Sequence, residues 1–152
     1  MEVQSDFKDL LELFNVHNVK YMIVGGYALA FHGAPRYTGD IDILVKPDAE
    51  NARNILNALD EFGFGSSGLT IQDFENPDNV IQLGVPPVRV DIITSLSGVS
   101  WEEAFANHEN GEYGSVSVKY IGRKQFILNK LATGRKKDFA DLEALNEEES
   151  PS

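Results

Sequence analysis

The sequence contains no cysteine, which removes disulfides, thiolate zinc sites and a cysteine nucleophile from consideration. A reducing compartment permits that absence. Histidine is scarce: His17, His32 and His108 are the three present, and none has the H-E-x-x-H spacing of a zinc hydrolase. There is no G-x-S-x-G elbow, no Walker A loop and no G-x-G-x-x-G dinucleotide fingerprint. Long apolar runs are missing too. The longest, Tyr21–Phe31, holds two glycines and is too short to span a bilayer. The opening residues, Met1 to Asp6, are acidic and carry neither a basic nor an apolar leader region, so no secretory signal is expected. Basic residues are in deficit: 13 Lys and Arg stand against 24 Asp and Glu, a net charge of −11. The resulting pI near 4.6 disfavours non-specific binding to nucleic acid or anionic membrane. These features together predict a soluble, cytoplasmic protein without a membrane partner.

A chain of 152 residues suits one domain, and its 42% hydrophobic and 24% charged content is ordinary for a globular protein. Residues 1–146 are expected to form that domain, with 147–152 as an acidic flexible tail. Phe7, Leu10, Leu11 and Phe14 draw one stripe along a helix over 6–16, with Ser5 or Asp6 as its cap. Residues 20–24 read as a strand ending at Gly25-Gly26, followed by a helix over 27–32 and a break at Gly33-Ala34-Pro35-Arg36. Residues 41–45 form a second strand and 49–62 a helix; 63–68 read as a flexible loop. Strands are expected at 81–83 and 88–94. A short helix over 101–105 opens at Ser100 with Glu103 in the capping-box position. A strand over 116–121 follows a turn at Gly111–Gly114, and helices cover 125–132 and 137–145. This order predicts an α+β fold, a mixed sheet with helices packed on it.

Four features could carry chemistry. Asp40 and Asp42 sit two apart in the strand DIDILV and so share one face, where adjacent carboxylates repel. A divalent cation offsets such repulsion; the alternative is a solvated, inert pair at a strand start. Asp91 interrupts the apolar run VRVDII. Either Arg89, two residues back on the same face, is its ion-pair partner, or Asp91 is a third metal-facing carboxylate from a neighbouring strand. Gly25-Gly26 between strand and helix suits either a tight turn or close approach of backbone N–H groups to a phosphate. Finally, 7 of the 13 basic residues fall between Lys119 and Lys137, uninterrupted by any acidic residue. Most read as a solvated face. Lys130 sits among Ile127, Leu128 and Leu131, where a partly buried stem could position its charge against a triphosphate.

The combination of Gly25-Gly26, Asp40-Ile41-Asp42 and a later strand carrying Asp91 resembles the nucleotidyltransferase superfamily with the DNA polymerase beta-like catalytic fold. The stretch from Gly25 to Asp42 looks like its small stand-alone bacterial and archaeal branch, which includes the nucleotidyltransferase-like toxins of abortive-infection systems. The segment from Lys130 to Leu142 matches that branch's ending, K-x-x-x-x-R-x-K-D-x-x-D-L. The resemblance implies transfer of a nucleoside monophosphate from a triphosphate such as ATP to a hydroxyl acceptor, with Mg2+ or Mn2+ held by Asp40, Asp42 and Asp91. It implies triphosphate contacts from Gly25, Gly26, Arg36, Thr38 and Lys130, and leaves Asp138 either to orient Lys130 or an acceptor, or to serve as a helix N-terminal charge. A protein side chain, a tRNA end or a small molecule are the acceptors it allows, and a cognate antitoxin is an implied partner. A non-catalytic nucleotide-binding or partner-regulating module on the same fold is the alternative.

Overall fold

Tyr21–Val24 forms β1, and all four residues are buried, which places this strand inside a sheet rather than at its edge. The computed structural model describes residues 3–36, 38–65, 67–85 and 88–149. In chain order, α1 (Ser5–Val16) precedes β1, and α2 (Gly25–Phe31) and β2 (Asp40–Val45) follow it. Next come α3 (Ala49–Leu59), which runs into a π-type turn over Asp60–Phe64, then α4 (Ile71–Glu75), β3 (Val80–Val85) and β4 (Val88–Ile93). The chain closes with α5 (Trp101–Ala106), β5 (Glu109–Tyr113), β6 (Val116–Tyr120), α6 (Arg123–Thr133) and α7 (Lys136–Glu149).

The strands make one six-stranded sheet in the order β3-β4-β2-β1-β6-β5. Its β1–β2, β3–β4 and β5–β6 pairs are antiparallel, whereas β2–β4 and β1–β6 are parallel. The architecture is therefore α+β, a mixed sheet flanked by helices, as the order of elements implied. Parallel strands need a long crossover, and α3, α4 and β3 supply it between β2 and β4.

Register decides which side chains share a face. Tyr21 and Ile23 lie opposite Val45 and Ile43, and Ile43 lies opposite Ile92. This apolar face is buried, and α1 closes it with the predicted stripe of Phe7, Leu10, Leu11 and Phe14. Phe14 meets Tyr21 with ring centroids 5.7 Å apart. On the other face, Val24, Asp42 and Asp91 stand in one row, with Asp40 and Arg89 in the next.

Several elements depart from expectation for physical reasons. The turn expected at Gly111–Gly114 is mostly strand: β5 runs through Gly111, and the reversal falls at Gly114, whose φ is +62°. Gly111 is required because Phe31 and Tyr120, stacked 4.1 Å apart, press on it; a Cβ there would lie 2.7 Å from the Phe31 ring. Helix α4 went unread because five residues are too few to show a period, although its Phe74 is fully buried. Helix α1 is capped by neither Ser5 nor Asp6. Its N-cap is Gln4, whose backbone N–H donates to the Tyr113 hydroxyl at 2.8 Å. Helix α2 starts at Gly25 rather than after the glycine pair. Helix α7 continues as helical backbone to Glu149, into the segment read as a tail, and residues 150–152 lie outside the described residues. The Ser100 cap holds, its hydroxyl accepting from the Glu103 N–H at 3.1 Å.

One polar residue pins the crossover helix to the sheet. Asn51, 3% exposed in the first turn of α3, accepts from the Lys20 N–H at 2.7 Å and donates to the carbonyls of Lys20 and Lys46 at 3.0 Å each. It thus ties α3 to the start of β1 and the end of β2 at once. Buried backbone groups that lose such a partner keep their full desolvation penalty. Asn51→Ala is expected to lower stability by about 2–3 kcal/mol in urea denaturation, without changing the secondary-structure content of the folded state.

Candidate active site

The two aspartates of β2 and the one of β4 are brought together by a single register. Asp42 lies directly opposite Asp91, and Asp40 lies opposite Arg89. Residues two apart share a face, so all four side chains project on the same side of the sheet. The apolar neighbours Ile41, Ile43, Val90 and Ile92 point the other way into the core. Arg89 places one nitrogen, Nη2, 2.5 Å from Asp40 Oδ2 and 3.2 Å from Asp91 Oδ2. Asp91 is thus ion-paired to Arg89, and the register also sets it on the same face as the β2 pair.

The pairing is incomplete. Asp91 is only 8% exposed, yet its Oδ1 is buried without a hydrogen-bond partner, as is Arg89 Nε. Asp42 bears the consequence. Burial first, and then the charges of Asp91 and Asp40, push its carboxyl up to about 6, against smaller opposing effects of Lys130 and Arg89. Three carboxylates face one guanidinium here. Among the described residues, no three histidine, aspartate or glutamate side chains are already gathered as a metal-binding set. The guanidinium of Arg89 bridges two of the three carboxylates instead.

The glycine pair abuts this cluster. Gly25 has φ +66°, and a Cβ on it would collide with the Asp42 carboxylate. A Cβ on Gly26 would lie 3.0 Å from Thr38 Cβ. The Thr38 hydroxyl in turn donates to the Asp40 carbonyl at 3.1 Å. Gly25, Gly26, Thr38, Asp40, Asp42 and Asp91 thus form one locality, as their assignment to one site required.

Lys130 approaches from α6. It is 7% exposed, and its charge is near enough to act on Asp42. Its Nζ lies 3.3 Å from Asp138 Oδ1 and 3.6 Å from Asp141 Oδ2, and 5.3 Å from the Phe126 ring centre. Arg36 grips Asp141 with two nitrogens, at 2.9 and 3.2 Å. Arg135 grips Asp138 the same way, at 2.9 and 3.2 Å, while the Thr133 hydroxyl donates to Asp138 at 2.7 Å. Burial raises the Asp138 carboxyl. The hydrogen bonds from Arg135 and Thr133, with the charge of Lys130, overrule that and hold it far below the usual range. Asp138 thus contacts Lys130 and also sits in the first turn of α7.

The remaining candidates disperse. Lys119 lies 5.5 Å from the Tyr21 ring centre, and Lys124, Lys136 and Lys137 are exposed. The His32 ring is 2.7 Å from the Ile121 carbonyl, a packing role, and His17 pairs with Glu61. Sequence reasoning assigned no role to Asp141, Arg135 or Thr133. The signal was the D-x-x-D spacing of Asp138 and Asp141, which puts both carboxylates on one side of α7. An open groove of about 810 Å³ lies away from the carboxylates, lined in part by Asn15, Lys20, Asn110, Glu112 and Lys119.

No protein-family model and no curated protein matches the chain. Solved structures do. A Thermotoga maritima protein, a nucleotidyltransferase by assignment, is 18% identical with a TM-score of 0.60, the match covering 96% of each chain. The antibiotic-resistance factor ANT(2'')-Ia is 12% identical with a TM-score of 0.61, covering 93% of this chain and 80% of that one. The lincosamide antibiotic adenylyltransferase LnuA, solved with lincomycin bound, is 15% identical with a TM-score of 0.55, covering 94% and 96%. The chain therefore has the nucleotidyltransferase fold.

The raised Asp42 carboxyl has a signature in stability. Between about pH 4 and 6 the folded chain holds a proton on Asp42 that the unfolded chain has released, so Asp42's contribution to stability falls as pH rises through that window. Without divalent cations, Asp42→Asn is expected to be more stable than the wild type by roughly 1–3 kcal/mol above pH 6, with the difference vanishing towards pH 4. Denaturation midpoints of both proteins across pH 4–8 in EDTA check this.

Proposed function

We propose that the protein is a metal-dependent nucleotidyltransferase that moves a nucleoside monophosphate from a nucleoside triphosphate to a hydroxyl acceptor. The observation that carries this reading is the pairing of Asp42 with Asp91 across β2 and β4, with Asp40 on the same face, on the nucleotidyltransferase fold. The donor set suits a hard divalent cation: three carboxylates, one of them with an orphaned buried oxygen and another with its proton affinity raised by burial and then by its neighbours' charges. Asp40, Asp42 and Asp91 would hold Mg2+ or Mn2+. Such an ion, when bound, neutralises phosphate charge and stabilises oxygens that enter and leave in an in-line displacement.

The chain's own residues supply positioning. Lys130 is held on two sides by Asp138 and Asp141, which fixes where its charge meets a triphosphate. Arg36, gripped by Asp141, brings a second cation from the segment preceding β2. Gly25 and Gly26 let Asp42 and Thr38 pack directly against the backbone at the start of α2, whose N–H groups would meet the phosphates, and Thr38 braces the backbone of Asp40. In the transfer, the acceptor oxygen forms a bond to the α-phosphorus as the bond to pyrophosphate breaks. The hydroxyl proton leaves to a carboxylate of the cluster or to water. Charge develops on phosphoryl oxygens throughout, so placement of cations is the main contribution.

The acceptor is a protein side chain, a tRNA end or a small molecule. The net charge of −11 disfavours a long RNA footprint. A role as the toxin of a toxin–antitoxin or phage-defence pair follows the same reading. One observation favours a second reading, a non-catalytic nucleotide-binding or regulatory module: Arg89 bridges two of the carboxylates a cation would use.

One measurement tests what the two readings share, and a second separates them. Magnesium-dependent thermal stabilisation by a triphosphate is expected under both, because a ligand that binds only the native state raises its stability. Transfer of labelled nucleotide into a component of whole-cell extract is expected only for the enzyme. Asp42→Asn and Asp91→Asn are each expected to cut that transfer by about 100-fold or more while leaving the circular dichroism spectrum unchanged. Full transfer by both variants would overturn the metal assignment.

A further inference from the structure

Three arginines contact aspartates at this site, and they do so in two different ways. Arg36 and Arg135 each engage one carboxylate with two nitrogens, Nε and Nη2. That bidentate geometry is the strong form of the pair. Arg89 instead spreads a single nitrogen over two carboxylates, Asp40 and Asp91, and its buried Nε makes no hydrogen bond. Its side chain is 30% exposed, so a path to solvent is open to it. The two bidentate arginines sit in a network whose charges nearly balance, with three cations on two carboxylates. Arg89 sits where negative charge is in excess.

Resting on the proposed cation site, we propose that Arg89 is a displaceable counter-ion that holds Asp40 and Asp91 together while no metal is bound, and that it sets the cation affinity of the site by competing for them. A guanidinium and a divalent cation cannot both lie between Asp40 and Asp91. Binding of the ion breaks the two Nη2 contacts and moves the guanidinium out through its exposed side. Asp91 Oδ1, which Arg89 leaves unpartnered, then gains a ligand that the guanidinium does not supply. The arrangement keeps like-charged strands from being forced apart in the metal-free protein, at a cost in metal affinity.

The competition predicts an effect opposite to that of removing a supporting residue. Mn2+ binding to the full-length protein is measured at pH 8 from the free-ion electron paramagnetic resonance signal, with no nucleotide present. Arg89→Gln is expected to bind Mn2+ at least about tenfold more tightly than the wild type, and Arg89→Lys to fall between them. Asp91→Asn, as the site control, is expected to lose the binding. The urea midpoint of Arg89→Gln should be lower than wild type in EDTA and recover more than the wild type does on adding Mn2+, which also reports whether the variant folds. Unchanged or weaker Mn2+ binding by Arg89→Gln and Arg89→Lys, with wild-type binding intact, overturns the competition and leaves the cation site standing. Absence of binding to the wild type and both Arg89 variants alike overturns the cation site and the competition together.

Discussion

Two strands paired in parallel put Asp42 against Asp91, and the electrostatic crowding that results organises everything around it. A slip of one residue in that register would send Asp91 to the apolar face and bring Ile92 or Val90 beside Asp42. The register is held by Ile41, Ile43, Val90 and Ile92, which bury on the opposite side. Hydrophobic burial thus enforces a contact that electrostatics opposes. Burial, and then that opposition, push the Asp42 carboxyl up to about 6, and Arg89 is drawn between Asp40 and Asp91. Sites that sacrifice local stability in this way are where chemistry is found more often than chance.

A second charged group answers the first. On α6 and α7, with Arg36 from the segment before β2, three cations and two carboxylates are packed into nearly full burial at Lys130, Asp138 and Asp141. Removing one member of such a network leaves an uncompensated buried charge, so its geometry is tightly determined. Lys130 acts on Asp42, and Arg135 responds to Asp42 as well, so the acidic and basic groups sense one another across the space between sheet and helices. An excess of negative charge on the sheet faces a slight excess of positive charge on the helices. A cation bound to a polyphosphate presents the complementary pattern.

How much of this was legible in the sequence depends on the range of the interaction. Asp40 and Asp42 share a face because strand side chains alternate, and that is a local fact. The stripe of α1 is local in the same sense. Asp91 was not settled locally: its partner two residues away and its partners on β2 are both real, and only the pairing of β2 with β4 makes them compatible. Strand β5 was opaque because Glu109–Tyr113 is polar and holds a glycine; its place comes from β6 and from the stacked Phe31 and Tyr120 rings that Gly111 accommodates. The basic run was visible as composition, but which of its charges turn inward was not. Helical spacing on α6 buries Lys130 and leaves Lys124 exposed.

The C-terminal helix and the connection between α2 and β2 meet at Asp141. It holds Arg36, from the connection that leads into β2, and it lies within reach of Lys130. That connection also carries Thr38, which braces Asp40 and lies against Gly26. Docking of α7 therefore does more than pack against α6. It draws the segment between α2 and β2 into place, and through Thr38 it supports the backbone from which Asp40 and Asp42 project. The contacts are long-range, 105 residues apart in the case of Arg36 and Asp141. Closing a loop of that length carries an entropic cost that the packed contacts must offset. A site assembled this way exists only when the C-terminal helices are packed, so cation placement on the helices and carboxylate placement on the sheet are parts of one cooperative structure rather than two independent features.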